Sequence, residues 1–211
     1  MKKKYWLMGI TAAMVVAVAV SGSLAAVSAS GRQATNKLAA PTLEVGVTNQ
    51  DITLESGAIV PGDTLDESVT AFQVNNRAEI DEYTRVTIRK FWVDENGEKD
   101  LDKDAGLLTM TVNGADWLTA EGGVSFSSGE TDVFYYDRPL APGETVSLPL
   151  SIAVSEQADN SYQEAGIQLE VTVDSVQFVK GENELNQQGI ENTFGVLADL
   201  NGDGSIRSLA Q

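Results

Sequence analysis

The sequence predicts an all-β chain, a jelly-roll-like β-sandwich with short helical or irregular insertions. Three observations carry that expectation. Apolar residues recur at period two in segment after segment, with few i, i+3, i+4 stripes to support helices. Turn residues punctuate those segments at short intervals. About eight to ten short strands fit into residues 42–180, as expected for a sandwich or jelly roll.

Taken in order, Leu43, Val45 and Val47 alternate with polar or small residues, and Ile52 and Leu54 continue after a turn at Asn49-Gln50-Asp51. Val69, Phe72 and Val74 mark the next run. Residues 83–93 form the clearest strand, with Val86, Ile88 and Trp92 on one face and Arg85, Thr87 and Arg89 on the other. Glu95-Asn96-Gly97-Glu98 reads as a hairpin turn, because Asn-Gly supplies the positive φ angles a tight turn needs. Leu107 to Val112 and then Val133, Tyr135 and Tyr136 are further apolar runs. One of the adjacent tyrosines is expected to be buried and the other exposed, since neighbours on a strand face opposite ways. Val146, Leu148, Leu150, Ile152 and Val154 alternate strictly, as do Ile167, Leu169, Val171 and Val173. Val176 and Phe178 fall on the other parity, and a bulge near Asp174-Ser175 would return them to the same core. The stretches 97–106 and 182–192 are charged or amide-rich; each fits a helical turn or a loop. Trp92 and Trp117 read as packing residues.

A short echo links two turns. Val60-Pro61-Gly62-Asp63-Thr64-Leu65 and Ala141-Pro142-Gly143-Glu144-Thr145-Val146 share Pro-Gly, an acid, Thr and an aliphatic residue. Pro-Gly at the centre of a turn specifies type II, and a strand is expected after each.

The ends of the chain have a different character. Lys2, Lys3 and Lys4 precede the apolar stretch Leu7 to Val20 and a small-residue exit ending in Val27-Ser28-Ala29. This is the pattern of a secretory signal peptide over residues 1–29, with cleavage expected after Ala29. The apolar stretch is shorter than the ~20 residues a spanning helix needs, so the mature chain is expected to carry no transmembrane span. Residues 30–41 read as a flexible lead-in, 42–180 as the β-sandwich domain, and 181–211 as an acidic, polar C-terminal tail. The expected location is extracellular and cell-surface associated.

Composition restricts the chemistry. The formal net charge is -17, and removing residues 1–29 takes three lysines and no acid, giving -20. Such a surface repels nucleic-acid phosphates. The chain has no cysteine and no histidine. Disulfides, Ser-His-Asp and Cys-His nucleophiles are therefore excluded, and catalytic zinc loses its usual nitrogen ligand. A hydrolase built from this sequence would run on carboxylates alone, and no spacing among the acids singles out a pair. The chain is expected to be non-enzymatic.

One segment has the residue types of an ion site. In Asp199-Leu200-Asn201-Gly202-Asp203-Gly204-Ser205-Ile206, oxygen-bearing side chains recur at alternate positions, as in the first half of a calcium loop. Asp199, Asn201, Asp203 and the Ser205 carbonyl would supply about four of the six to eight oxygens that Ca2+ takes. The twelfth loop position falls on Ala210, which has no ligating side chain.

A longer pattern resembles a known family. Ile59-Val60-Pro61-Gly62-Asp63, Val74-Asn75-Asn76 and Asp81-Glu82-Tyr83-Thr84-Arg85-Val86 follow one another. Tyr135-Tyr136, Pro139-Leu140-Ala141-Pro142-Gly143-Glu144-Thr145 and Val171-Thr172-Val173-Asp174-Ser175-Val176-Gln177 come after them. In this order they resemble the TasA/camelysin family of exported Gram-positive proteins, over about residues 40–178. The resemblance implies a jelly roll deposited at the cell surface or in the biofilm matrix. It also implies self-association into a homo-oligomer or fibre, in which an N-terminal strand, here about Asn36 to Thr48, completes the sheet of the next subunit. Within an isolated monomer that strand is expected to pair inside its own domain. Two departures stand beside the resemblance. Without histidine the His-Glu-x-x-His motif of a zincin-type, camelysin-like protease cannot form, and residues 23–31 lack the Thr-x-Ala-aromatic exit of TasA-type leaders. The alternative function from a different class is a module that binds carbohydrate or another cell-surface partner.

Overall fold

The apolar alternation does produce an all-β fold, built on antiparallel ladders. The computed structural model describes residues 45–48, 51–54, 62, 64–65, 72–120, 129–163 and 165–210. The leader and most of the lead-in strand segment lie outside the described residues. No helix among the described residues is long and apolar enough to cross a membrane.

Thirteen strands are described: β1 Val45–Thr48, β2 Asp51–Leu54, β3 Thr64–Leu65, β4 Phe72–Asn76, β5 Glu82–Val93, β6 Leu108–Val112, β7 Trp117–Leu118, β8 Thr131–Tyr136, β9 Thr145–Leu148, β10 Leu150–Val154, β11 Gly166–Gln177, β12 Leu197–Leu200 and β13 Ile206–Ala210. The order in the main sheet is β2-β11-β5-β8-β7. Two three-stranded ladders, β1-β4-β9 and β3-β10-β6, and the hairpin β12-β13 complete the pairing.

The two three-stranded ladders are joined by one interrupted strand. Leu148, Leu150, Ile152 and Val154 keep their period of two across Pro149, and all four are buried. Proline has no N–H for a ladder, so β9 ends there and β10 begins. β9 pairs with β4 through Phe72↔Leu148, and β10 pairs with β6 through Ile152↔Met110 and with β3 through Ile152↔Leu65.

One apolar cluster gathers residues from the main sheet and from both three-stranded ladders. Phe72 and Val74 of β4, Leu148 of β9 and Ile152 of β10 meet Val86, Ile88 and Trp92 of β5, Phe134 of β8 and Ile167 and Leu169 of β11. The face chosen by period two in β5 is therefore the core face. Trp92 and Trp117 pack as core residues. The Trp92 indole donates to the Asp104 carbonyl (3.0 Å) and the Trp117 indole to the Ser147 carbonyl (2.9 Å), so neither buries an unpaired N–H.

The second Pro-Gly turn closes as expected, with Glu144 N donating to the Ala141 carbonyl (3.0 Å). Gly143 has φ of 75°, which suits glycine at the third position of a type II turn. Gly62 has φ of 88°, and the rest of the first turn lies outside the described residues. β3 follows the first turn and β9 the second. The Asn96-Gly97 turn also forms, with the Asp94 carbonyl accepting from Gly97 N (3.0 Å) and Asp94 N donating to the Glu98 carbonyl (2.9 Å). Beyond it the charged segment 97–106 carries the chain toward β6 through a single 3-10 turn, Ala105–Leu107, capped by the Asp104 carboxylate on Gly106 N.

Two expectations are corrected by the second face of the main sheet. β11 pairs with β5 without interruption from Gly166↔Val93 to Gln177↔Glu82, so there is no bulge at Asp174-Ser175. Val176 keeps its opposite parity and faces the other side. Tyr135 and Tyr136 do point opposite ways, yet both are buried, at 1% and 2% exposure. Tyr136 joins the first cluster and Tyr135 a second one. The reason is that residues 181–211, read from the sequence as a polar tail, contain helix α1 (Asn183–Phe194) and the β12-β13 hairpin. Ile190, Phe194, Val196, Leu200, Ile206 and Leu209 from that segment bury Tyr83 and Tyr135, with Val176 and Phe178 packed against them. A sheet with apolar residues on both faces requires a cover on each.

Candidate functional site: the C-terminal turn and the strand edges

The residues proposed for calcium lie together, but as parts of a hairpin turn. Asn201 N donates to the Ser205 carbonyl (2.8 Å) and Gly204 N to the Asn201 carbonyl (3.0 Å), closing the loop between β12 and β13. Asp203 Oδ1 accepts from Ser205 N (3.0 Å) and Ser205 Oγ (2.7 Å), which holds its carboxyl below the usual range. Asn201 Nδ2 donates to Ser205 Oγ at 2.9 Å.

A cation already sits on two of the remaining side-chain oxygens. Arg207 Nε donates to Asn201 Oδ1 (3.1 Å) and its Nη1 to Asp199 Oδ2 (3.0 Å). The sequence reading overlooked Arg207. It lies on β13, the strand that pairs with the end of β12, and a base on a partner strand is the signal that could have found it. Among the described residues no group of three or more acidic side chains is arranged to hold a metal ion. The Ser205 carbonyl is committed to Asn201 N. Calcium at millimolar concentration is therefore expected to leave the melting temperature unchanged, since a ligand stabilises only when its concentration approaches its dissociation constant. A calcium-dependent rise that Asp199→Ala abolishes overturns this expectation.

The turn also fastens the C-terminal layer. The Tyr83 hydroxyl donates to the Gly204 carbonyl at 2.7 Å. Burial, with Asp203 a smaller contributor, pushes the Tyr83 pKa well above that of a free phenol. Arg85 donates to the Phe194 carbonyl (2.9 Å) at the end of α1, stacks 5.1 Å from the Phe194 ring and pairs with Asp174 at 2.7 Å. Asn186 is buried in α1 and reads both backbone groups of Val179, accepting from its N (2.8 Å) and donating to its carbonyl (2.9 Å).

The strand edges are the other candidate. β1 bonds to β4 in the register Val45↔Asn76 to Thr48↔Gln73 and has no second ladder partner among the described residues. It is thus an edge strand contributed by the N-terminal part of the chain. Its neighbour is the opposite in character: β4 lies between β1 and β9, and Phe72, Val74 and Asn76 are wholly buried. On the main sheet, β2 covers β11 only over Ile167–Glu170, and no ladder partner continues along that side of β11 beyond Glu170 among the described residues. Elsewhere an edge is blunted: Gln187 of α1 donates to the Ala198 carbonyl of β12 (3.0 Å), satisfying an edge acceptor with a side chain.

The fully buried asparagine at the end of β4 is a keystone. Its Nδ2 donates to the carbonyls of Ile80 (2.8 Å) and Leu140 (2.7 Å), and its Oδ1 accepts from Ala78 N (2.8 Å). It locks the turn after β4 to the Leu140 segment, which itself exchanges two backbone bonds with Glu82. Three pieces of the pattern that suggested a family, Asn76, Glu82 and Leu140, thereby meet in space.

Charged residues collect at the far end of β5. Lys99 donates to Glu130 (2.6 Å), which holds the Glu130 carboxyl below its usual range, and Arg89 lies 3.5 Å from both Glu130 and Glu170. Arg89 and Lys99 both cover the Phe91 ring, at 5.3 and 5.5 Å. The two described tryptophans, the side chains most suited to stack on a sugar, are buried. Comparison with protein-family models, with curated proteins and with solved structures finds no match for this chain.

Proposed function

We propose that this chain is an exported, non-enzymatic surface or extracellular-matrix protein of the TasA-like kind, whose work is self-association by strand addition. The observation that carries the reading is the contrast between β1 and β4. A short strand from the N-terminal part of the chain has one ladder partner among the described residues, and that partner is a strand whose inward side chains are completely buried. If β1 exchanges between copies, the β4 backbone keeps its ladder partner, supplied by the next chain instead of the same one. Such exchange conserves the contacts and costs only the ordering of the donor segment. The leader-like start, the acidic surface and the absence of histidine and cysteine support the reading from the side of composition. In this reading the strands form a jelly roll, and the partner is a second copy of the chain.

Sedimentation and electron microscopy of the chain beginning at Ser30, over a range of concentration and pH, are the test. Oligomers or fibres are expected. A chain beginning at Gln50 is expected not to elongate, and to capture an added peptide covering residues 36–48. Monomer under every condition, together with no uptake of the peptide, overturns the proposal.

A further inference from the structure

We propose that Lys90 and Asp132 become joined by an intramolecular amide bond that staples β5 to β8. Lys90 sits on the core face of β5, between Ile88 and Trp92 at the neighbouring inward positions and opposite Leu169 of β11. Its residue exposure is 5%. Asp132 pairs in register with Ile88, so it shares that face on the adjoining strand. The Lys90 amine lies 2.5 Å from Asp132 Oδ2. The other carboxylate on that segment belongs to Glu130, whose carbonyl accepts from Lys90 N (2.7 Å) and whose carboxylate is engaged by Lys99 at 2.6 Å and by Arg89 at 3.5 Å. Asp132 is thus the carboxylate directed at this amine.

The Lys90 end of this ion pair is held among buried apolar side chains and loses much of its hydration, so the pair recovers little net stability. The same surroundings favour condensation, because the product is neutral and the reacting groups are already held together, which replaces an encounter in solution by a step within one molecule. In the reaction the ammonium passes one proton to the carboxylate. The neutral amine attacks Cγ, an Nζ–Cγ bond forms, the Cγ–Oδ2 bond breaks, and that oxygen leaves as water with a second proton taken from the nitrogen. Ammonium and carboxylate go to amide and water with no change in oxidation state and no co-reactant. The Lys90 side chain is 6% exposed but that of Asp132 is 32% exposed, which gives the departing water a route out. The bond would tie together strands separated in sequence by the segment 91–131, in a chain with no cysteine to make a disulfide.

Mass spectrometry of the purified full chain decides the matter. The denatured wild-type chain is expected to be one water lighter than its processed sequence. After digestion it is expected to yield a branched peptide joining the Lys90 and Asp132 segments. The loss is expected to survive mild alkali, which reopens any cyclised Asn96-Gly97, Asn113-Gly114, Asn201-Gly202 or Asp203-Gly204 step. Asp132→Asn is expected to give the same branched product with ammonia as the leaving group, while Asp132→Ala and Lys90→Met retain their full masses. A wild-type chain of full sequence mass, giving only linear peptides at Lys90 and Asp132, overturns the proposal whatever the variants do. That result leaves self-association untouched, since the two rest on different strands.

Discussion

Replacing Asn76 by leucine is expected to lower stability by about 3–5 kcal/mol, because several buried backbone groups lose their partner at once and each such loss costs about 1–3 kcal/mol. Leucine keeps the branched skeleton, but its methyl groups are larger than the amide oxygen and nitrogen, so overpacking adds to the lost hydrogen bonds. The carbonyls of Ile80 and Leu140 and the amide of Ala78 would be left facing an alkyl group in a site with no exposed surface. Asn76→Asp is expected to be at least as damaging, since the group that donates to two carbonyls becomes an oxygen and a carboxylate is buried without a cation. The neighbour supplies the control. Asn75 also uses its amide, on the Glu144 carbonyl (3.1 Å) and Thr145 Oγ1 (2.7 Å), but from a partly exposed position. Asn75→Ala is therefore expected to cost about 1 kcal/mol or less. Urea unfolding curves check both, through the midpoint at constant slope. Equal midpoints for the Asn76 and Asn75 variants would remove the keystone role.

The period of two revealed the strands far better than it revealed what lies across from them. β5, β10 and β11 were legible because long alternations leave no other periodicity to weigh. The core face of β5 was legible for the same reason. The interruption in that stripe at Lys90 was a signal as well: a lysine among Val86, Ile88 and Trp92 must find a partner on the core side, and the partner lies 42 positions away on β8, at Asp132. No local pattern specifies such a pairing. The parity change at Val176 was visible too, but it had two physical solutions. A bulge would return the residues to one core, whereas a second cover would make a core on the other face. The choice depended on whether residues 181–211 fold. Their sequence hides that they do, because the buried stripe of α1 is Asn186, Ile190 and Phe194, with an amide where a hydrocarbon is expected. Asn186 earns its place by closing two hydrogen bonds with Val179, which composition does not encode.

The calcium-like spacing admits a second reading for a related reason. Alternate Asp, Asn and Asp around glycines serve a metal loop and a tight hairpin equally well, since both need oxygen acceptors turned toward a reversing backbone. What separates them is the cation. Here Arg207 supplies it from β13, at 3.0 Å from Asp199 and 3.1 Å from Asn201.

That hairpin is the place to test whether the C-terminal layer stands apart energetically from the rest. Gly204→Val is expected to detach it at a cost of about 3 kcal/mol or more, adding backbone strain to overpacking. Gly204 has φ of 87°, and a Cβ there would lie 2.5 Å from Phe178 Cε2 and 3.0 Å from Cζ. Phe178 cannot yield freely, because its ring meets Tyr83 edge-on with centroids 5.6 Å apart. Moving the Gly204 carbonyl also breaks its bond from the buried Tyr83 hydroxyl. The two apolar clusters lie on opposite faces of one sheet, so the damage should be one-sided. Amides of β12 and β13 are expected to lose protection from hydrogen exchange, and the newly uncovered Tyr83 and Tyr135 face to bind a hydrophobic dye. Fluorescence from Trp92 and Trp117, both in the first cluster, is expected to hold until global unfolding. Simultaneous loss of tryptophan burial and β13 protection would mean that the two faces form a single cooperative unit.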